Sequence, residues 1–127
     1  MLITFSSDYP VTPSPNPFWA LEIAVTRNLY SGENYGVEEI KDIDDPTWLR
    51  NAAERITIKE AIEAFTINGA YQMFMENEIG SLKTGKWADM IIIDRDIFQV
   101  EPLHIGDIML LETIFAGESV YSYEHKR

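Results

Sequence analysis

Glu78-Ile79-Gly80-Ser81-Leu82-Lys83-Thr84-Gly85-Lys86-Trp87-Ala88-Asp89-Met90-Ile91-Ile92-Ile93-Asp94 reads as two extended pieces with a tight turn between them. Gly80 and Gly85 supply backbone conformations that residues with a Cβ resist. Met90-Ile91-Ile92-Ile93 is a short apolar run, β-branched in its last three positions. Such a run predicts a strand buried on both faces, or the middle of a core sheet. Charged residues bound it at both ends, so it is too short to span a bilayer.

The same residues carry a resemblance. The pattern G-S-L-x-x-G-K-x-A-D-M-I-I-I-D, from Gly80 to Asp94, resembles the signature near the C-terminus of the amidohydrolase superfamily. There the chain leaves a (β/α)8 barrel and returns to a small β-sandwich. The likeness extends both ways. Thr66-Ile67-Asn68-Gly69-Ala70 is similar to the family's T-x-N-x-A helix. Ser6-Ser7-Asp8-Tyr9-Pro10-Val11 resembles the S-D-x-P-V end of its last barrel strand. Thr113-Ile114-Phe115-Ala116-Gly117-Glu118-Ser119-Val120-Tyr121 resembles its closing hairpin, T-x-x-x-G-x-x-V-Y. The branch most resembled is the one that includes N-substituted formamide deformylase. Met73-Phe74-Met75 departs from the leucine-glycine often found after the helix in that family.

A complete (β/α)8 barrel takes about 250 residues, and this chain has 127. The resemblance therefore implies a C-terminal portion of a larger enzyme, an α+β piece when isolated. Residues 1–78 would hold the last barrel strand, a proline loop and the terminal barrel helices. Residues 79–127 would hold strands of the composite β-sandwich and the closing hairpin.

Composition narrows the function. The formal net charge is -11, which disfavours nucleic acid and anionic membrane surfaces as partners. There is no cysteine, so disulfides and thiolate metal sites are excluded. No leader pattern of basic and then apolar residues opens the chain, and the expected location is cytoplasmic. The 46% hydrophobic share suffices for a packed core.

In chain order, residues 1–7 read as a strand running into a loop. Pro10, Pro13, Pro15 and Pro17 rule out regular pairing beyond it. Asn16 before Pro17 is a helix start, a capping side chain followed by proline at the first helical position. Phe18, Leu21, Ala24 and Val25 then predict a helix over 17–29. Residues 30–51 are irregular: turn chemistry at 31–36, then an acidic run of Glu38, Glu39, Asp42, Asp44 and Asp45 that lacks the order of a calcium loop. Residues 46–53 suggest a helical turn. Thr57 and Glu60 form a capping box, and apolar spacing carries the helix to Met75 through Gly69, where another backbone is expected to approach closely. Residues 102–105 suggest one helical turn. Strands are expected at 107–115 and 119–123, joined at Gly117-Glu118, with a polar tail behind.

Hydrolysis of an amide-like bond at neutral pH calls for an activated water, which a divalent metal supplies. In the superfamily an H-x-H pair and further barrel residues hold the metal, and an aspartate ends the last strand. That aspartate binds metal, takes the proton of the nucleophilic water and passes it to the leaving group. Asp8 occupies the matching position, so the resemblance makes it both the catalytic residue and a metal ligand, with zinc the expected ion in the parent enzyme. By local pattern alone, Asp8 is a loop carboxylate accepting hydrogen bonds from the Thr12 or Ser14 neighbourhood. A catalytic zinc site takes about three protein ligands. The only histidines, His104 and His125, match no family ligand and read as a turn residue and a tail residue. Tight metal binding by this chain alone is not expected. Lys83 and Lys86 read as solvated charges, and Trp87 as packing at a sheet edge.

Two functions follow. One is a C-terminal fragment of a metal-dependent C–N hydrolase, inactive without the N-terminal barrel portion. The other is a stand-alone oligomerising or binding module derived from that fold. A homo-oligomer is expected in either case, because cut barrel edges favour association.

Overall fold

The computed structural model describes residues 2–12, 14–29 and 39–123. The turn expected at 31–36, Glu38 of the acidic run, and the tail with His125 lie outside the described residues. Two compact units emerge, each built from discontinuous segments. The helical unit comprises Ser6–Ile62 and Ile97–Asp107, and the sheet unit Met1–Phe5, Glu63–Asp96 and Ile108–Arg127.

In the helical unit, α1 spans Pro17–Thr26. Asn16 caps it as its sequence demands: the Asn16 Oδ1 accepts the Phe18 N–H at 3.0 Å. The helix stops three residues before the expected Leu29. Arg27 turns into the left-handed region at φ 59, its N–H donating to the Ile23 carbonyl. After Pro17, no residue of α1 is exposed. A helix apolar all round is a core element. Phe18, Leu21 and Ala24 join Ile40, Ala61 and Ile105 in the buried interior. The helix packs on a 3-10 turn, Pro102–Asp107, longer than the single turn the sequence suggested. A second 3-10 turn at Ala52–Glu54 replaces the helical turn expected over 46–53.

The second helix is two. α2 (Ile58–Phe65) opens on the capping box: Thr57 N–H and hydroxyl both donate to Glu60 Oε2, and Glu60 N–H donates to Thr57 Oγ1. The helix breaks at Thr66 (φ -121, ψ -93) and restarts as α3, Ile67–Gln72. Continuous apolar spacing in the sequence masked the break. Gly69 has open space beside it, contrary to the close approach expected there. The close approach belongs to Gly80. A Cβ on Gly80 would lie 2.7 Å from Ala70 Cβ and 3.0 Å from Ile67 Cα, and φ is +81.

α3 ends in a Schellman turn: Phe74 sits at φ 59, Phe74 N–H donates to Tyr71 and Met75 N–H to Ala70. Phe74 thus takes a conformation that glycine adopts without strain, and the residue is 91% exposed.

Residues 2–8 form no strand. No strand lies beside them to pair with among the described residues. The segment is tied instead to the helices of the sheet unit: Asn68 Nδ2 donates to the Ile3 carbonyl at 2.9 Å, Thr4 Oγ1 to Gln72 Oε1 at 2.8 Å, and Phe5 N–H to Ala64 O. Phe5 and Phe65 rings stand 5.4 Å apart.

The sheet among the described residues is three-stranded and antiparallel, in the order β1 (Met90–Ile93), β2 (Leu110–Phe115), β3 (Glu118–Ser122). The strand β1 occurs where its sequence placed it, but at an edge and half-covered: Ile91 is 51% exposed. The β2–β3 loop is Ala116-Gly117, one residue earlier than expected, since Phe115 pairs with Glu118. Both loop residues have positive φ, the type I′ geometry that suits strand twist.

Candidate functional site

Asp8 opens a tight turn, with φ 53. Aspartate is among the few side chains that tolerate this region. The turn is held by its own backbone and hydroxyls. Val11 N–H donates to the Asp8 carbonyl at 2.8 Å, Asp8 N–H to Ser6 Oγ and Tyr9 N–H to Ser7 Oγ. Thr12 Oγ1 donates to the Ser7 carbonyl at 2.5 Å and also faces the Ser14 carbonyl. The Thr12 hydroxyl therefore goes to backbone, not to the Asp8 carboxylate, as the local reading had it. Asp8 is exposed, and its carboxylate has no bonded partner among the described residues. The turn fixes the backbone and leaves the carboxylate presented.

One presented carboxylate is not a metal centre. Among the described residues, no three His, Cys, Asp or Glu side chains gather closely enough to hold an ion. His104 is engaged elsewhere, Nδ1 lying 3.0 Å from Asp107 Oδ2 in the 3-10 turn. The acidic run is spent on local turns and pairs: Asp42 Oδ1 accepts Asp44 N–H, Asp45 Oδ1 accepts Thr47 N–H, and Asp44 pairs with Arg55 at 2.8 Å. Hydrogen bonds from Thr47 hold the Asp45 carboxyl below its usual range. These residues do not fit a complete metal site.

Several charged residues matter more than the sequence reading allowed. Lys86 is not a solvated charge. Its Nζ donates to the Ile79 carbonyl at 3.1 Å, to Ser81 Oγ at 2.7 Å and to the Glu76 carbonyl. Gly85, at φ +91, turns the chain so that Lys86 N–H reaches the Lys83 carbonyl and Trp87 N–H the Glu78 carbonyl. The ammonium thus clasps the segment between α3 and β1. The two aspartates of the signature bracket β1. Asp89 Oδ1 accepts Ala116 N–H at the hairpin, and Asp94 Oδ1 accepts Met109 N–H. Arg95, and then the Met109 N–H, lower the Asp94 pKa.

Glu22 is the residue the sequence reading missed. It is the one charged residue of α1 and is 3% exposed. Its Oε2 accepts the Gly106 N–H at 2.8 Å. Burial pushes its pKa from 4.5 up to about 7, the Gly106 hydrogen bond and His104 opposing and Asp107 adding to the rise. A solitary acid inside a ten-residue apolar helix was the available signal.

Comparison with known proteins places these features. The model of the amidohydrolase family matches residues 1–121. Imidazolonepropionase of Bacteroides fragilis is 35% identical over 63 residues, 50% of this chain and 15% of that enzyme. The enzyme of the same name from Bdellovibrio bacteriovorus is 28% identical over 96 residues, 76% of this chain and 23% of its own length. The chain thus spans under a quarter of these relatives, which are imidazolonepropionases and not formamide deformylases. A crystal structure of an amidohydrolase from Thermotoga maritima superposes with a TM-score of 0.59 at 20% identity, over 97% of this chain and 24% of that one. That likeness concerns the fold. With a match running through Asp8, Gly80, Lys86 and the closing hairpin, this chain belongs to the amidohydrolase family.

Proposed function

We propose that the chain is the C-terminal portion of a hydrolase acting on carbon–nitrogen bonds other than peptide bonds, with Asp8 as its contribution to the reaction centre. In this reading residues 1–78 end a (β/α)8 barrel and residues 79–127 supply strands of the composite sandwich. The observation that carries it is the Asp8 carboxylate, without a bonded partner among the described residues, on a turn held by its neighbours' hydrogen bonds, inside a family match covering residues 1–121. A carboxylate so presented can accept a proton from a nucleophilic water or ligate a hard cation. The resemblance implies a divalent metal, with zinc as the expected ion, that activates the water. Because the described residues offer one donor, no step through that metal is assigned to this chain. Its own work is to hold Asp8 and to carry the scaffold behind it. The relatives' name suggests an imidazolone-type substrate for the whole enzyme.

The test has two arms. The 127-residue chain, with and without added zinc, is assayed against an imidazolone and an N-formyl amide; no turnover is expected. In the full-length enzyme Asp8→Asn is expected to remove about a thousandfold or more of the rate. Hydrolysis by the isolated chain, or a fully active Asp8→Asn enzyme, would sink the reading.

A second reading, a homo-oligomeric binding module, is favoured by one observation: Ile91, Phe115, Val120 and Tyr121 of the sheet unit are all exposed. Apolar strand residues in the open favour a cover. Sedimentation of the isolated chain tests this alternative, and the turnover assay above separates it from the hydrolase reading. A concentration-independent monomer would remove this alternative.

A further inference from the structure

The helical unit contains a carboxylate for which neither the family match nor the proposed reaction has a use. Glu22 stands in the middle of α1 with its side chain in the interior, next to the 3-10 turn Pro102–Asp107. Its one hydrogen-bond partner among the described residues is a neutral backbone donor, the Gly106 N–H at 2.8 Å. Among the described residues no lysine, arginine or histidine lies within ion-pair distance of it. Two arginines of the helical unit pair with other carboxylates. Arg27 is bonded to Glu54, and Arg55 to Asp44 and to the carbonyls of Thr26 and Ile43. The charged groups that face Glu22 from the turn are His104 and Asp107, bonded to each other. Gly106 itself is buried, so the contact is made in the interior.

We propose that Glu22 is a proton-operated latch between α1 and the turn Pro102–Asp107. With its proton, the side chain is a neutral group that can stay dry while accepting the Gly106 N–H. Without it, a full charge stands in the interior with one backbone donor to stabilise it, and desolvation of a carboxylate exceeds what one N–H returns. The ionised side chain admits water, and the turn loosens from α1. Burial, the largest influence on this group, moves its titration up to about 7, so the change falls near neutral pH. The turn lies on the connection from β1 to β2, and α1 follows the Asp8 loop in the chain, so both segments inherit the looser seat. The latch does not depend on the hydrolase reading, because it is a property of the helical unit itself.

The experiment follows three observables in the isotopically labelled chain from pH 4.5 to 8.5: the Glu22 Cδ shift, the Gly106 amide shift, and amide exchange across 102–107. The expected result is one shared midpoint near 7 for both shifts. Exchange at Gly106, corrected for hydroxide catalysis, should be about tenfold faster above the midpoint than below it. Glu22→Gln keeps an acceptor for Gly106 and should abolish the step. Histidine titrates in the same range, so His104→Gln is the control and should retain the step. A Glu22 Cδ midpoint in the ordinary carboxylate range overturns the proposal. So does a step that survives Glu22→Gln and vanishes in His104→Gln. Should Glu22→Gln fail to fold, the wild-type Cδ titration decides alone.

Discussion

Lys86 and Glu22 are both charged side chains drawn away from water, one in each unit, and they are treated in opposite ways. Lys86 meets two carbonyls and a hydroxyl, which together use its donors. Its charge is matched by acceptors, and the clasp is a structural joint. Glu22 meets one backbone N–H, and burial shifts its titration up to about 7. Depth and the number of partners together separate a charge held by acceptors from one able to switch. Glu60 makes the same point from the surface, where hydrogen bonds from Thr57 N–H and hydroxyl lower its pKa.

The sheet unit should break most sharply at Gly80. Gly80→Ala places a methyl 2.7 Å from Ala70 Cβ at a positive φ. Overpacking and left-handed strain together should cost about 4 kcal/mol, read from urea unfolding. Adding Ala70→Gly should restore only part, because the Ile67 and Thr66 backbone also stands in the way.

The pH dependence of the helical unit comes next in size. The folded-state pKa of Glu22 lies above its unfolded value, so the native state binds more protons between 4.5 and about 7. The stability it contributes is fully present below 4.5 and is lost as pH rises through about 7. The stability of wild type relative to Glu22→Gln should fall by about 3 kcal/mol over that window, measured as the difference of two urea curves at each pH. Glu60 carries the reverse sign: its contribution is present above the ordinary carboxylate range and is lost as pH falls through its lowered value.

A smaller loss is expected at the clasp. Lys86→Met leaves the Ile79 and Glu76 carbonyls and the Ser81 hydroxyl without their donor, costing about 2 kcal/mol. Lys86→Arg should not rescue it, since a planar fork does not reproduce three converging bonds to a point charge. A silent Lys86→Met would remove one side of the contrast with Glu22.

The smallest effect should be a gain. Phe74→Gly relieves a left-handed residue at φ 59 and gives up little packing, because Phe74 is 91% exposed. It should stabilise by about 1 kcal/mol, seen as a higher melting temperature.

Legibility of the sequence followed the range of the forces. The Asn16 and Thr57 caps, the β1 strand and the positive-φ glycines at 80, 85 and 117 were readable, because each is set by neighbours within a few residues. Of the candidate site, Asp8 was singled out by its resemblance to the family, and its freedom from Thr12 was not legible. The break at Thr66 stayed hidden because apolar spacing runs through it, and the role of Asn68 because its partner, the Ile3 carbonyl, lies 65 residues away. The partners of Lys86 and Glu22 were hidden for the same reason, although a solitary acid in an apolar helix marked Glu22 out: a charge in the sequence does not declare what surrounds it.

By itself the sequence determined the family, the helix starts, the first strand and the position of Asp8, all through local chemistry and a contiguous pattern. Only the tertiary structure decided that Gly80 and not Gly69 is the point of close approach, that β1 lies at the sheet edge among the described residues, and that Lys86 meets three acceptors where Glu22 meets one donor. Those outcomes depend on which distant atoms arrive within about 3 Å, and residues far apart in the chain meet only when it has folded.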